Sequence, residues 1–207
     1  LVLAEDVSQR LAYERDLAYR ASHDPDTGLL TVRALAEQLD AGDGGYTILH
    51  LQLRGLRLVT DTLGREAGED VLQAMVGRLG VLGARYGLLA WQPAEDFVLA
   101  VTADNDPQLA LEALLDAASE PVRGSDSFHQ LEPRIGVANC PDDGEHADQV
   151  LGRAAQAAHA AREDGMVVSR FDCAISTRHA ARLQLAGRIR QAIDRDEFVL
   201  YFQPIRH

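Results

Sequence analysis

The chain of 207 residues is 46% hydrophobic and 25% charged, a composition typical of a globular protein rather than a disordered or fibrous one. It carries 20 basic and 32 acidic side chains, a net charge of −12, and so acidic a surface disfavours binding to nucleic acid. Every basic side chain is an arginine, which excludes a catalytic lysine and the lysine of a P-loop.

The cysteine content and the hydropathy narrow the class of protein further. Cys140 and Cys173 are too few for a disulfide framework or a four-ligand zinc site. No apolar run reaches the ~20 residues that span a bilayer, and the acidic first ten residues do not resemble a signal peptide. We therefore expect a cytoplasmic chain without membrane contact. It opens without methionine, which suggests a piece of a longer protein.

The first predicted element is an amphipathic helix at residues 3–21, in which Leu3, Val7 and Leu11 recur every four residues. This pattern fits a connector helix that pairs two chains, and it fits equally a helix that lies on its own domain. The residues leave both possibilities open, and with them the formation of a homodimer.

Helical and strand-like patterns then alternate along the chain. The predicted helices are 31–39 (begun by Thr31 as N-cap), 55–63, 67–79, 107–118, 147–164 and 178–194. The predicted strands are 46–53, 86–91, 97–102, 132–139, 167–171 and 198–203. Hairpins mixed with crossover helices predict an α+β fold in which helices flank a central, mainly antiparallel sheet.

Six short motifs follow one another in the order of a known family. They are DPDTGL (24–29), TDTLG (60–64), AGEDVL (67–72), EDF (95–97), RIGVA (134–138) and AAREDG (160–165). In this order and spacing they resemble the GGDEF, or diguanylate cyclase, family. The resemblance implies a nucleotide-cyclase-like fold with a ferredoxin-like palm.

Two flanking segments carry resemblances of their own. Residues 182–205 resemble the opening helix and first strand of an EAL domain, the cyclic di-GMP phosphodiesterase family, and residues 4–17 resemble the connector that follows a sensory PAS domain. The resemblance implies a connector helix at 1–21, a GGDEF domain at 22–173, and at 174–207 a linker helix with the first EAL strand. Upstream sensory and downstream EAL domains would be its partners in the parent chain. Gln203 matches a position that lines the cyclic di-GMP pocket of a complete EAL domain.

An active GGDEF domain condenses two GTP molecules, with carboxylates holding Mg²⁺ against the triphosphate. Nearly every position that the family uses for this is altered here. The resemblance places Gln52 at the position of the first metal-binding Asp. Thr60, next to a retained Asp61, takes the position of the guanine-reading Asn, and Glu69 that of the guanine-reading Asp. The signature hairpin reads Pro93, Ala94, Glu95 and Asp96, and the phosphate-binding Lys and Arg are replaced by Arg162 and Met166. The product-inhibition pattern RxxD is also absent, since its positions hold Ala84 and Gly87.

These losses predict a domain that is not a cyclase, with no cofactor and with Glu95 as a vestigial metal position. The favoured function is a non-catalytic relay between a sensor and an EAL domain, which could itself be an active phosphodiesterase. The alternative is a GTP-binding allosteric domain or a weak cyclase, with Mg²⁺ and GTP held by Asp61, Glu95, Asp96 and Arg162. An RNA-binding ferredoxin-like domain is disfavoured because the strands lack basic and aromatic residues.

Three other features have simpler interpretations. His50 lies in an apolar strand and is expected to be a core histidine. The acidic stretch PDDGEHAD (141–148) is interpreted as a turn and a helix cap rather than a cation loop. Trp91, next to the hairpin, could fill the space that a guanine would occupy.

Overall fold

The structure is a computed structural model that describes residues 19–93, 96–124 and 127–173, with single positions at 177, 193 and 195. The chain divides into two compact units, Leu1–Phe171 and Asp172–His207. The predicted helix at 178–194, the strand at 198–203 and most of the helix at 3–21 lie outside the described residues. Only the last turn of that first helix, residues 19–22, is described, and it is helical.

One six-stranded sheet organises the first unit. Its strands are β1 (Leu30–Thr31), β2 (Tyr46–Arg54), β3 (Gly87–Gln92), β4 (Asp96–Thr102), β7 (Glu132–Cys140) and β8 (Val168–Arg170). They lie in the order β1-β3-β4-β2-β7-β8. The three central pairings are antiparallel, and only the outer pairs β1–β3 and β7–β8 are parallel. A separate short hairpin consists of β5 (Val122–Arg123) and β6 (Phe128–His129).

Five helices cover this sheet: α1 (Val32–Asp40), α2 (Leu56–Leu63), α3 (Arg65–Tyr86), α4 (Pro107–Ser119) and α5 (Ala147–Glu163). Their apolar residues form two separate clusters, one on each face of the sheet. One cluster joins α2, α3 and α4 to the face that carries Leu49, Leu51 and Phe97. The other joins α1 and α5 to the face that carries Ile48 and Val98. β2 is thus buried on both faces, as its nearly continuous apolar sequence predicts.

A helix and the sheet approach each other closely at Gly136 on β7. A Cβ atom at this position would lie 2.0 Å from the Ala154 carbonyl oxygen and 2.2 Å from the Ala158 nitrogen. No side chain fits in that space, so glycine lets the α5 backbone approach the strand directly. The alanine-rich sequence of α5 serves the same close approach, because six of its alanines are buried.

The predicted α+β fold with a mainly antiparallel sheet and flanking helices is confirmed. The predicted elements between residues 31 and 171 are all present, with ends that differ by a few residues at most sites and by seven at the C-terminal end of α3. Sequence analysis missed β1, β5 and β6, which have two residues each and therefore show no periodicity.

For PDDGEHAD, interpreted as a turn and a helix cap, the turn is confirmed and the cap is wrong. The segment is a turn, in which Asp143 Oδ2 accepts a hydrogen bond from the Asn139 amide at 2.8 Å. Its last residue before α5, His146, makes no side-chain capping bond. The cap comes instead from the end of α1, because Asp40 Oδ1 accepts the Ala147 amide at 2.8 Å. A partner 107 residues away leaves no local sequence signal.

Candidate functional site

A row of polar residues crosses the sheet where β2 ends and β4 begins. Gln92, Asp96, Gln52 and Arg134 are successive partners across β3, β4, β2 and β7. Because residues opposite each other in adjacent strands point to the same face, their side chains share the face covered by α1 and α5. The sheet register thus brings together two residues from the predicted site, Gln52 and Asp96.

The Asp96 carboxylate interacts with a residue that lies deeper in the sheet. His50 precedes Gln52 by two residues, so it occupies the same face one row further in. Its side chain is only 4% exposed, and its Nε2 lies 3.3 Å from Asp96 Oδ2. The predicted burial of His50 is confirmed, but its Nε2 has no hydrogen bond of ordinary geometry, so Asp96 is its polar contact at that nitrogen.

Gln52 has a neutral amide in the middle of this row. Its Oε1 is buried and accepts no hydrogen bond from the described residues. On the β7 side its partner is Arg134, whose side chain is 17% exposed. The Arg134 head group donates to the Pro133 carbonyl oxygen at 2.8 Å and lies 3.6 Å from Glu132 Oε2. A fixed positive charge thus lies on one side of Gln52, and a carboxylate that contacts His50 lies on the other.

The described residues of this row offer a magnesium ion one carboxylate, that of Asp96, and one neutral amide oxygen, that of Gln52. A magnesium ion needs carboxylate or other oxygen ligands in near-octahedral geometry, and an adjacent guanidinium repels it. In the part of the chain that the structure describes, no three His, Cys, Asp or Glu side chains lie close enough together to hold a metal ion. Ala94 and Glu95, the hairpin residues expected at a metal-binding turn, lie outside the described residues, and Pro93 beside them is exposed.

The predicted guanine-reading residues lie on α2 and at the start of α3. Thr60 donates its hydroxyl to the Leu56 carbonyl oxygen at 3.2 Å within its own helix. It also packs against Gly68, where a Cβ atom would lie 2.1 Å from Thr60 Oγ1. Thr60 therefore serves as a packing contact between α2 and α3.

Both acidic residues near Thr60 are paired with arginines one helical turn away. Asp61 Oδ2 lies 3.6 Å from Arg57 Nε, and both side chains are exposed. Glu69 Oε1 accepts a hydrogen bond from Arg65 Nε, and this bond raises the pKa of Arg65 above its usual value. These are i,i+4 pairs along single helices, so the carboxylates already have cationic partners without any ligand.

At the end of α5 only one of the two predicted phosphate-binding positions holds a cation. Arg162 is exposed in the last turn of the helix, and Met166 is 44% exposed in the following loop. Trp91 is buried with its ring 4.6 Å from that of Phe97, so it belongs to the core. Its proposed role in filling a guanine's space stays a prediction, and Gln203 lies outside the described residues.

Sequence analysis missed the contact of His50 with Asp96 and the position of Arg134. A single His and a single Arg inside apolar strands were the available signals, at LHLQL and PRIGVA. Their significance depends on the register of three strands, which the sequence of one strand does not contain.

The matching family model is described as "Diguanylate cyclase, GGDEF domain" and covers residues 21–167. An uncharacterized Mycobacterium bovis protein is 31% identical over 98% of this chain and 34% of its own length. The Pseudomonas aeruginosa protein named bifunctional diguanylate cyclase/cyclic di-GMP phosphodiesterase MucR is 26% identical over 92% of this chain and 29% of its own. The chain therefore spans about a third of the length of these relatives.

Solved structures show the same fold. The coiled coil and GGDEF domain of DgcB from Caulobacter crescentus, solved in complex with c-di-GMP, superposes with a TM-score of 0.69 at 17% identity. The superposition covers 81% of this chain and 94% of the DgcB chain. The isolated GGDEF domain of TpbB (YfiN) from Pseudomonas aeruginosa gives 0.68 at 18% identity, over 75% of this chain and 97% of that one. In the described residues no helix is both long and apolar enough to cross a membrane.

Proposed function

Because this chain belongs to the GGDEF family, whose domains occur in cyclic di-GMP signalling proteins, we propose that it is a member that does not make cyclic di-GMP. It acts instead as a regulatory domain that relays a sensory input, received through residues 1–21, to an EAL domain that begins within residues 174–207. In this proposal the altered family positions form a degenerate nucleotide pocket, and Gln203 belongs to the EAL domain.

The observation that carries the proposal is the arrangement around Gln52. A cyclase needs carboxylates that are free to hold Mg²⁺ against a triphosphate. Here the strand-end residue is a neutral amide, the neighbouring Asp96 lies 3.3 Å from a buried histidine, and Arg134 supplies a positive charge on the other side. A metal ion bound through Asp96 would require that carboxylate to leave His50, whose Nε2 would then be buried without this contact.

The guanine side supports the same conclusion independently. Thr60 uses its hydroxyl within α2, and Glu69 is bonded to Arg65. A guanine would have to compete with intramolecular partners for both groups. Since the two sides are altered separately, restoring one would not restore the activity.

The proposed relay is supported by the activities for which two relatives are named. MucR is named as bifunctional, and a second Pseudomonas aeruginosa relative, NbdA, is named a cyclic di-GMP phosphodiesterase. NbdA is 26% identical over 78% of this chain, and the match covers 21% of the length of NbdA. In a protein of that size an inactive GGDEF domain can still transmit movement between its neighbours through its rigid sheet and helices.

The catalytic part is tested with the 207-residue chain, GTP and Mg²⁺. We expect no cyclic di-GMP above the protein-free background and no heat of GTP binding by titration calorimetry. Gln52→Asp is the matched variant, and it should stay inactive because Asp96 and Glu69 keep their partners. Cyclic di-GMP formation that rises in proportion to the unmodified protein would contradict the proposal.

The relay part needs the longer natural protein. We expect removal of residues 22–173 to change its rate of cyclic di-GMP hydrolysis, or to abolish the response of that rate to the input. An equal rate and response with and without the domain would rule out a relay.

One feature favours the second candidate, a GTP-binding allosteric domain or weak cyclase. Arg162 is exposed in the last turn of α5, where a phosphate could reach it. Micromolar GTP binding that weakens at least tenfold in Arg162→Ala, without turnover, would establish an allosteric site. Cyclic di-GMP titrated in parallel distinguishes the substrate from the product as the ligand.

A further inference from the structure

Arg153, in the second turn of α5, contacts two separate parts of the domain. Its side chain is half-buried, and its guanidinium donates a hydrogen bond to the Asp143 carbonyl oxygen in the turn after β7. The same guanidinium lies over the ring of Phe171, 5.3 Å from the ring centre, where a cation is attracted to the face of an aromatic ring. One arginine therefore joins the turn before α5 to the segment that follows β8.

The turn that Arg153 contacts is itself held to the sheet. Asp143 Oδ2 accepts a hydrogen bond from the Asn139 amide at 2.8 Å, and Asn139 Oδ1 accepts one from the Thr47 hydroxyl at 2.9 Å. Thr47 is buried in β2, one of the two middle strands of the sheet. A series of polar contacts therefore leads from the middle of the sheet to Arg153.

Phe171 is held by the sheet as well as by Arg153. Its amide donates to the Val137 carbonyl oxygen of β7 at 2.7 Å, and its ring packs against the apolar cluster between the sheet, α1 and α5. Phe171 is also the last residue of the first compact unit. The chain is thus fixed at the end of this unit, by β7 through its backbone and by Arg153 through its ring.

The second unit starts directly after this contact. Among its described residues, Cys173 and Thr177 are helical, and the Thr177 hydroxyl donates to the Cys173 carbonyl oxygen at 3.1 Å, one turn earlier. Only Asp172 separates Phe171 from Cys173. Because so short a connection spans only a few ångströms, the position of Phe171 limits where the following segment begins.

We propose that Arg153 and Phe171 form the output joint of this domain. Their contact holds the chain where it enters the second unit, so displacement of β7 or α5 reaches the following residues instead of being lost in a loose connection. The inference rests on the proposed function, because it assumes a downstream EAL domain that receives the relayed input. It adds the two residues through which the output leaves this domain.

A nitroxide label on Cys173 tests the joint in the 207-residue chain. Cys173 is exposed, and Cys140→Ala removes the other cysteine of the sequence. In this background we expect slow motion of the label by electron paramagnetic resonance. Arg153→Ala removes the guanidinium and should shorten the rotational correlation time of the label about twofold or more. Unchanged label motion in this variant would overturn the inference.

Two further variants separate a loosened joint from a weakened fold. Phe171→Leu keeps an apolar side chain but removes the ring under the guanidinium, so it should also increase the motion of the label. Arg33→Ala is the matched control, since Arg33 is an exposed arginine of α1 that pairs with Glu37, and it should leave the motion unchanged. All spectra are recorded well below the melting temperature that circular dichroism gives for each variant. An equal increase in Arg33→Ala would show general loosening and refute the joint.

The role of the joint in signalling is measured in the longer natural protein as the rate of cyclic di-GMP hydrolysis. Arg153→Ala and Phe171→Leu should each produce at least about half of the change in rate that removal of residues 22–173 produces. An effect of the removal without any effect of the two substitutions would refute the joint and leave the relay intact. If the removal itself has no effect, the relay is refuted, and label motion still shows whether Arg153 holds Phe171.

Discussion

The two ends of β2 differ in how their charged groups are paired. At the Gln52 end the Asp96 carboxylate contacts His50 across two strands, while Gln52 Oε1 accepts no hydrogen bond from the described residues. At the Tyr46 end Asp40 Oδ1 accepts the Ala147 amide at 2.8 Å and so joins the end of α1 to the start of α5. A contact between side chains of neighbouring strands therefore lies at one end of β2, and a cap that joins two helices lies at the other.

The largest effect should come from Gly136→Ala, because the α5 backbone contacts β7 directly at this position. Helix α5 begins next to Asp40 at the Tyr46 end of β2. An alanine Cβ at Gly136 would lie 2.0 Å from the Ala154 carbonyl oxygen, so helix or strand must move. We expect a loss of about 3 kcal/mol or more in the free energy of unfolding, measured by urea denaturation.

Gly152→Ala is the matched control for this substitution. Gly152 lies on the same helix, and apart from the neighbouring backbone of α5 itself, no described atom would lie within 4 Å of a Cβ atom there. Alanine is the better helix former, so this variant should gain up to about 1 kcal/mol. Equal effects at the two glycines would show that α5 is not held against the sheet by the close contact at Gly136.

The next effect concerns the Gln52 end, where Asp96→Ala removes the carboxylate that contacts His50. His50 then stays buried without a partner for Nε2, and we expect a loss of about 1 to 3 kcal/mol in unfolding free energy. His50→Leu removes the imidazole together with its need for a polar partner, so this variant should lose less unfolding free energy than Asp96→Ala. The double variant should cost less than the sum of the two single ones.

A strictly additive double variant would mean that the two side chains do not interact. In that case His50 would not hold the Asp96 carboxylate in place, and the contact between them would no longer support an inactive site. This comparison of the double variant with the two single variants therefore tests the proposed function through unfolding free energies, without a ligand.

Most of the fold could be predicted because helices and strands of useful length carry their period in the sequence. Ile48 and Leu49 show a strand buried on both faces, and Thr31 does accept the Ala34 amide at 3.2 Å as the predicted N-cap. Site positions such as Gln52 came from the family resemblance. The pairing of their side chains did not, because the contact between His50 and Asp96 depends on which residues of β2 and β4 are opposite each other.

The same reason explains the error at the start of α5. The sequence interpretation placed the cap within the acidic segment 141–148, whereas Asp40 supplies it from the end of α1. A long-range cap cannot be recognised from local spacing, because an Asp at a helix C-terminus has no local reason to be there. Indeed α1 has no basic residue in its last turn, and its acidic end is explained only by the partner helix.

The smallest effect concerns the Tyr46 end, where Asp40→Ala removes this cap. The Ala147 amide loses its acceptor, and we expect a loss of about 1 kcal/mol in unfolding free energy by urea denaturation. Asp40→Asn keeps an oxygen at the same position and should lose only a few tenths of that amount. Asp43→Ala, three residues away, caps nothing and should leave stability unchanged. If Asp43→Ala were as costly as Asp40→Ala, the loss could not be assigned to the bond between Asp40 and the Ala147 amide, and the cap at the start of α5 would not explain the acidic end of α1.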